Sequence, residues 1–195
     1  MSIGTFTEVA MAVALAAVLN LFHIPLPHLL YGGSVSLEAL PILVVGLRRG
    51  ARPGLAAGAL YGLVDFLSKP VVVHPAQVAL DYPLAFGALG LGSGLVGPLL
   101  PAGRCRPWSR RGRALLGILA GDGLRGSAHV VSGVVFFAAY APSGQPAWLY
   151  SLVYNASYLG PQAVMHILLL PLLLRVITWR EGRGHDERLP DSPHG

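Results

Sequence analysis

Six apolar stretches punctuated by clusters of arginine leave this chain few ways to fold. Of its fourteen basic residues, twelve fall in three groups: Arg48, Arg49 and Arg52; Arg104, Arg106, Arg110, Arg111 and Arg113; and Arg175, Arg180, Arg183 and Arg188. Charged residues make up 12% of the chain, against roughly 25% in soluble domains. Backbone amides in lipid must bond within their own segment, so stretches this apolar are expected to be membrane helices. The sequence predicts an all-α polytopic membrane protein with six crossings, at about 7–22, 36–47, 53–67, 78–100, 113–137 and 148–177. A helix needs about 20 apolar residues to span a bilayer. The second and third segments are shorter, and are expected to be tilted, partly re-entrant or flanked by ordered loop. Residues 1–178 are expected to form the bundle. Residues 179–195 mix both charge signs with Gly and Pro and are expected to be a disordered polar tail.

Orientation follows from the arginines, because short cytoplasmic linkers collect positive charge. With six crossings all three clusters share one face, which makes both termini cytoplasmic. The external loops are then 23–35, 68–77 and 138–147. The first apolar stretch lacks a basic n-region and carries Glu8 in its place, so it reads as a retained helix rather than a cleaved signal. Basic residues confined to short linkers argue against a nucleic-acid partner and for the lipid bilayer. A single cysteine, Cys105, excludes an intrachain disulfide.

Two basic residues break the pattern. Lys69 stands alone before Pro70, and Arg125 lies inside an apolar stretch, four residues before His129. A charge in a membrane helix is costly unless it is paired or lines a wet cavity. At about 1.5 Å per residue, Asp81 and Tyr82 fall one turn inside the outer surface, and Tyr150 falls at the rim. Tyr154 and Asn155 lie about two turns deep, at the level Arg125 and His129 reach from the other side. Glu38 and Asp65 sit near the outer ends of their segments. Asp122, three residues before Arg125, or Asp81 is placed to neutralise it. A plain structural Asp122–Arg125 pair, with His129 packed in the bundle, is the alternative. Carboxylate, amide, imidazole and aromatic faces at one depth suit a small, flat, cationic ligand, since a cation over a ring gains roughly 0.5–2 kcal/mol. Access from outside alone describes capture rather than a channel.

Other chemistries lack their residues. An intramembrane serine protease of the rhomboid type needs Gly-x-Ser-Gly, but Leu91 and Val130 hold the first position before Ser93-Gly94 and Ser132-Gly133. No His-Glu-x-x-His motif exists, the histidines show no metal-ligand spacing, and a Ser132–His129 pair lacks a third orienting group. No cofactor is expected. The repeats of a self-sufficient secondary transporter are not evident, and a purely structural subunit has no need of the polar cluster. Lys69 is the only lysine and precedes proline, which excludes a phosphate-binding Gly-Lys-Ser/Thr loop. Concentrative uptake therefore requires ATPase partners.

Four blocks in order carry a family resemblance. They are Gly33-Ser34-Val35-Ser36-Leu37 with Pro41 and Leu47-Arg48-Arg49-Gly50; Asp81-Tyr82-Pro83-Leu84-Ala85-Phe86; Arg125, His129, Ser132-Gly133, Phe136-Phe137 and Ala139-Tyr140-Ala141-Pro142; and Tyr150-Ser151-Leu152-Val153-Tyr154-Asn155. Over about 170 residues the chain resembles the thiamine-specific membrane subunits (S-components) of energy-coupling factor vitamin transporters. The resemblance implies a thiamine-binding subunit that works with a transmembrane coupling subunit and two ATPase subunits. A thiamine precursor or another flat cationic vitamin is the alternative ligand. By the resemblance, Asp81 takes the place of the ligand-contacting carboxylate, with Asp where the family carries Glu, and Tyr82 follows it. Arg125, usually lysine in the family, and His129 take the segment-five contacts. Phe137 takes a stacking position, and Tyr150 and Asn155 take the segment-six contacts. The family's first external loop sets a Trp over the ligand; here Trp108, Trp148 and Trp179 lie elsewhere, and Tyr31 is expected to substitute, with His28 as the other candidate. Segment one carries Ala10, Ala14 and Val18 on one stripe and Ala12 and Ala16 on another, a spacing that allows close helix approach. In similar proteins such residues face the coupling subunit, so Ala10, Ala14, Ala12 and Ala16 are the expected partner interface, against internal packing as the alternative.

Overall fold

The computed structural model describes residues 1–26, 33–96 and 107–186. Six helical spans are arranged as one bundle. The first helix, α1 (Ile3–Asn20), starts at Ser2, whose Oγ accepts from the Thr5 N–H at 3.3 Å. It buries Thr5, Val9, Ala12, Ala16 and Asn20, a run spaced by three and four that forms one face of a 3.6-residue helix. Its other faces expose Phe6, Met11, Leu15 and Val18, which suits lipid and not water. By length and composition Ile3–Asn20 and Pro75–Leu95 can each cross a membrane.

This arrangement corrects the expectation for one alanine stripe. Ala12 is 8% exposed and Ala16 is 0% exposed, each inside a core cluster. Ala10, Ala14 and Val18 point outward. Residues two apart are about 200° apart around a helix, so the two stripes could not share one outward face. Packing α1 against its neighbours chose which was buried.

After α1, a two-residue strand, β1 (Ile24–Pro25), pairs antiparallel with β2 (Ser34–Val35). This small ladder gives the connection between α1 and the next helix an ordered base, in line with the ordered loop expected beside the short second segment. Next, α2 (Ala39–Arg49) is largely enclosed, burying Ala39 to Val45 except Val44, together with Gly46 and Leu47. Gly50, at φ 89°, turns the chain into α3 (Ala51–Ser68). A backbone in that region favours glycine because it lacks a Cβ. At the same end, Arg49 grips Glu8 through two hydrogen bonds of 2.6 and 2.8 Å, joining α2 to α1.

The fourth span is interrupted. α4 (Pro75–Ala79) passes through a π-helical turn, Leu80–Leu84, into α5 (Ala85–Leu95). Pro83 lies in that turn and has no N–H to give, and a proline ring crowds the carbonyl four residues back. Widening the helix to an i→i+5 bond, Ala85 N–H to Leu80 O, accommodates it. Helix α3 crosses this span at three glycines spaced by four. A Cβ at Gly54 would lie 2.8 Å from the Gly90 carbonyl carbon, one at Gly58 2.5 Å from that of Phe86, and one at Gly62 2.6 Å from that of Tyr82. This contact brings Asp65 at the end of α3 beside the π turn that carries Asp81.

Helix α6 (Pro107–Phe136) packs on α5 through Gly92, Gly121 and the backbone of Ala120. A 3-10 turn, Ala138–Tyr140, leads to α7 (Ala147–Asp186). Helical backbone therefore runs past residue 178 into the segment expected to be disordered. No proline occurs between Pro171 and Pro190 to stop the α7 hydrogen-bond ladder.

Candidate functional site

A cavity of about 250 Å³ opens at the end of the bundle capped by β1 and β2. Asp81 and Tyr82 from the π turn border it, as do Arg125, His129 and Phe137 from and just beyond α6, and Tyr150 and Asn155 from α7. Seven of the sequence-selected residues thus converge on one space. Tyr31 and His28 lie outside the described residues.

Arg125 is deeply set, at 4% exposure. Its Nη2 lies 3.5 Å from Glu38 Oε1, and its Nη1 donates to Gln162 Oε1 at 3.1 Å. Its Cζ stands 4.2 Å above the centre of the Phe86 ring, a favourable cation–π geometry. The carboxylate that neutralises Arg125 is therefore Glu38, and neither Asp122 nor Asp81. Asp122 faces His166 instead, with Oδ2 3.0 Å from Nδ1. The physical reason is azimuth. Asp122 and Arg125 are three apart on α6; Asp122 meets His166 of α7, while the arginine reaches between Gln162 of α7 and Glu38 at the start of α2. Glu38 also accepts from the Tyr61 hydroxyl at 3.0 Å, and Tyr61 meets Phe86 edge-on with centroids 4.7 Å apart.

Asp81 is held between two helices. His129 Nδ1 lies 3.2 Å from its Oδ1, and Gln77 Nε2 donates to its Oδ2 at 2.7 Å. Tyr82 faces the other way: its hydroxyl donates to Lys69 O at 2.9 Å and accepts from the Val71 N–H at 2.8 Å. Its ring borders the cavity while its polar end clamps the loop between α3 and α4. Asn155 Nδ2 donates to Ser151 O at 2.9 Å, and its Oδ1 accepts from the Tyr158 hydroxyl at 2.8 Å. Ser132 Oγ and His129 Nε2 are buried with no hydrogen-bond partner among the described residues.

Several contributors were given no ligand contact from the sequence, though Tyr154 and Asp65 were placed at the outer level. Tyr154 and Tyr158 extend Tyr150 into a ladder along α7, with successive centroids 5.9 and 6.5 Å apart. Their spacing of four was visible and marks one helix face. Gln77, four residues before Asp81, was equally visible as a polar break in an apolar stretch. Asp65 borders the cavity and accepts from Asn20 Nδ2 at 2.9 Å. Lys69, noted only as an outlier, also lines it. The wall then carries three carboxylates, Glu38, Asp65 and Asp81, against two permanent cations, Arg125 and Lys69. One negative charge is in excess, beside aromatic faces.

Apolar outer faces, a six-span bundle and a polar cavity at one end define an all-α membrane protein of the solute-transporter class. The match to known proteins is specific within that class. A family model described as thiamine transporter protein covers residues 6–179, and the chain belongs to that family. It is 35% identical over 171 residues to the thiamine transporter ThiT of Bacillus subtilis (strain 168), spanning 85% of this chain and 88% of the relative. Identity to the thiamine transporter ThiT of Lacticaseibacillus paracasei is 32% over 158 residues, 77% of this chain and 79% of that one. The solved structure of ThiT from Listeria monocytogenes shares the fold with a TM-score of 0.65 at 29% identity, covering 87% of this chain and 96% of that chain.

Proposed function

We propose that this chain is the thiamine-binding S-component of an energy-coupling factor importer. It sits as a multi-pass protein in a prokaryotic cell membrane and captures the vitamin from the outer side. It then delivers thiamine with a transmembrane coupling subunit and two ATPase subunits. It is a binding subunit and not an enzyme. The observation that carries the reading is a cavity whose wall has one carboxylate more than it has permanent cations, next to stacked rings. Thiamine is a monocation of two flat rings joined by a methylene, a thiazolium that carries the charge and an aminopyrimidine that both donates and accepts. A wall of opposite charge with aromatic faces recognises both features.

In this reading Asp81 is the main recognition carboxylate, with His129 and Asn155 beside it and Phe137 and Tyr150 as stacking faces. Arg125 shapes the floor of the site through Glu38 and Phe86. The arginine-rich linkers put the opposite end of the bundle, with both chain ends, in the cytoplasm. On α1, the outward Ala10 and Ala14 form the surface for the coupling subunit, where small residues allow close approach.

Titration of the purified protein with thiamine, followed by Tyr and Trp fluorescence, tests the ligand. Saturable binding without ATP is the expected result. A saturable response to riboflavin or biotin and none to thiamine would refute it. Preference for a thiamine precursor would move the ligand and keep the class.

A further inference from the structure

Gln77 is 1% exposed and still borders the cavity. Its Oε1 accepts from the Val73 N–H at 3.1 Å, and this contact assigns the orientation of the amide. The other terminal atom is the NH2 group, and it donates to Asp81 Oδ2 at 2.7 Å. The opposite carboxylate oxygen faces His129 Nδ1 at 3.2 Å. Asp81 is thereby held at one oxygen by its own span and at the other by α6. An unrestrained aspartate would turn about two side-chain bonds, and donors on both oxygens remove that freedom.

We propose that Gln77 is a positioning residue for the Asp81 carboxylate. It fixes the carboxylate plane so that the remaining lone pairs face the ligand. The same amide ties the loop between α3 and α4 to α4 itself. Tyr82 adds a second tie, bonding Lys69 O and the Val71 N–H from the other side of Asp81. Together the two ties hold this loop as a wall of the site. The inference rests on the reading of Asp81 as the recognition carboxylate.

Thiamine titration of the full chain in detergent tests this with Q77L, Q77E, D81N and the Q77L/D81N double variant. A hydrogen bond to a charged group is at stake, so Q77L is expected to weaken binding roughly 10- to 100-fold. In the D81N background the same change should cost less than about twofold, because residues acting through one group are not additive. Q77E keeps the shape and an oxygen for the Val73 N–H, which preserves the loop tie, but it sets an acid against Asp81. It should weaken binding at least as much as Q77L, and it carries the test if Q77L misfolds. Near wild-type affinity for Q77E would overturn the proposal, since it would leave only loop-holding. Fully multiplicative losses in the double variant would overturn it as well. A D81N protein that binds like wild type removes the recognition carboxylate and the proposal with it. A wild-type protein that ignores thiamine refutes the proposed function instead, and is told apart by the wild-type titration alone.

Discussion

Replacing Glu38 with glutamine should destabilise the protein more than any other single loss of a carboxylate. Glu38 and Arg125 side chains are each 5% exposed and lie 3.5 Å apart. Glu38 stands at the N-cap of α2, yet its side chain makes no capping bond. It is given wholly to Arg125 and to the Tyr61 hydroxyl. Glu38→Gln keeps the shape and one acceptor oxygen but removes the charge, and leaves the buried guanidinium with only neutral acceptors and the face of Phe86. Removing one partner of a buried pair costs about 3–5 kcal/mol. The ring face offsets only about 0.5–2 kcal/mol, and it is already counted in the native state. Tyr61→Phe, which removes one hydrogen bond to the same carboxylate, should cost about 1.5–3 kcal/mol. The assay is thermal unfolding in detergent for Glu38→Gln, Arg125→Gln and the double variant. Removing both charges should recover most of the loss, while Asp122→Asn should be additive with Arg125→Gln. Additivity of Glu38→Gln with Arg125→Gln, or strong coupling of Asp122 to Arg125, would refute the pairing.

Asp81→Asn should weaken thiamine binding by about 1.5–3 kcal/mol; unchanged titration with intact folding would shift recognition to Asp65, the other cavity carboxylate that makes no ion-pair contact with Arg125. Gly58→Ala should destabilise the bundle by about 1–3 kcal/mol, because its Cβ meets the Phe86 backbone. Gly160→Ala, with nothing within 4 Å, should be neutral or slightly stabilising, and equal melting temperatures for the two variants would contradict the α3–α5 contact. Trp at both Ala10 and Ala14 should block uptake in cells that carry the partner subunits while thiamine binding by the isolated protein persists. Ala16→Trp should instead cost folding, since Ala16 is fully buried; loss of binding in the Ala10/Ala14 variant would show that its stripe is also internal.

Much of the architecture was legible because a membrane acts on local properties. Length and apolarity mark the six spans, and the depth of a residue follows from counting along a helix. Asp81, Arg125, His129, Tyr150 and Asn155 could therefore be placed in the same half of the membrane from the chain alone. Counting does not give azimuth, which is the direction each helix turns toward its neighbours. That is set where backbones meet, at Gly54, Gly58 and Gly62 against Gly90, Phe86 and Tyr82. It decided that Arg125 meets Glu38 while Asp122 turns to His166. It also decided that Ala16 is enclosed while Ala14 faces outward. The π turn at Pro83 and the amide of Gln77 on Asp81 belong to the same class of facts. Sequence determined which residues share a depth. Only the packing of helices, through contacts between residues far apart in the chain, decided which of them touch.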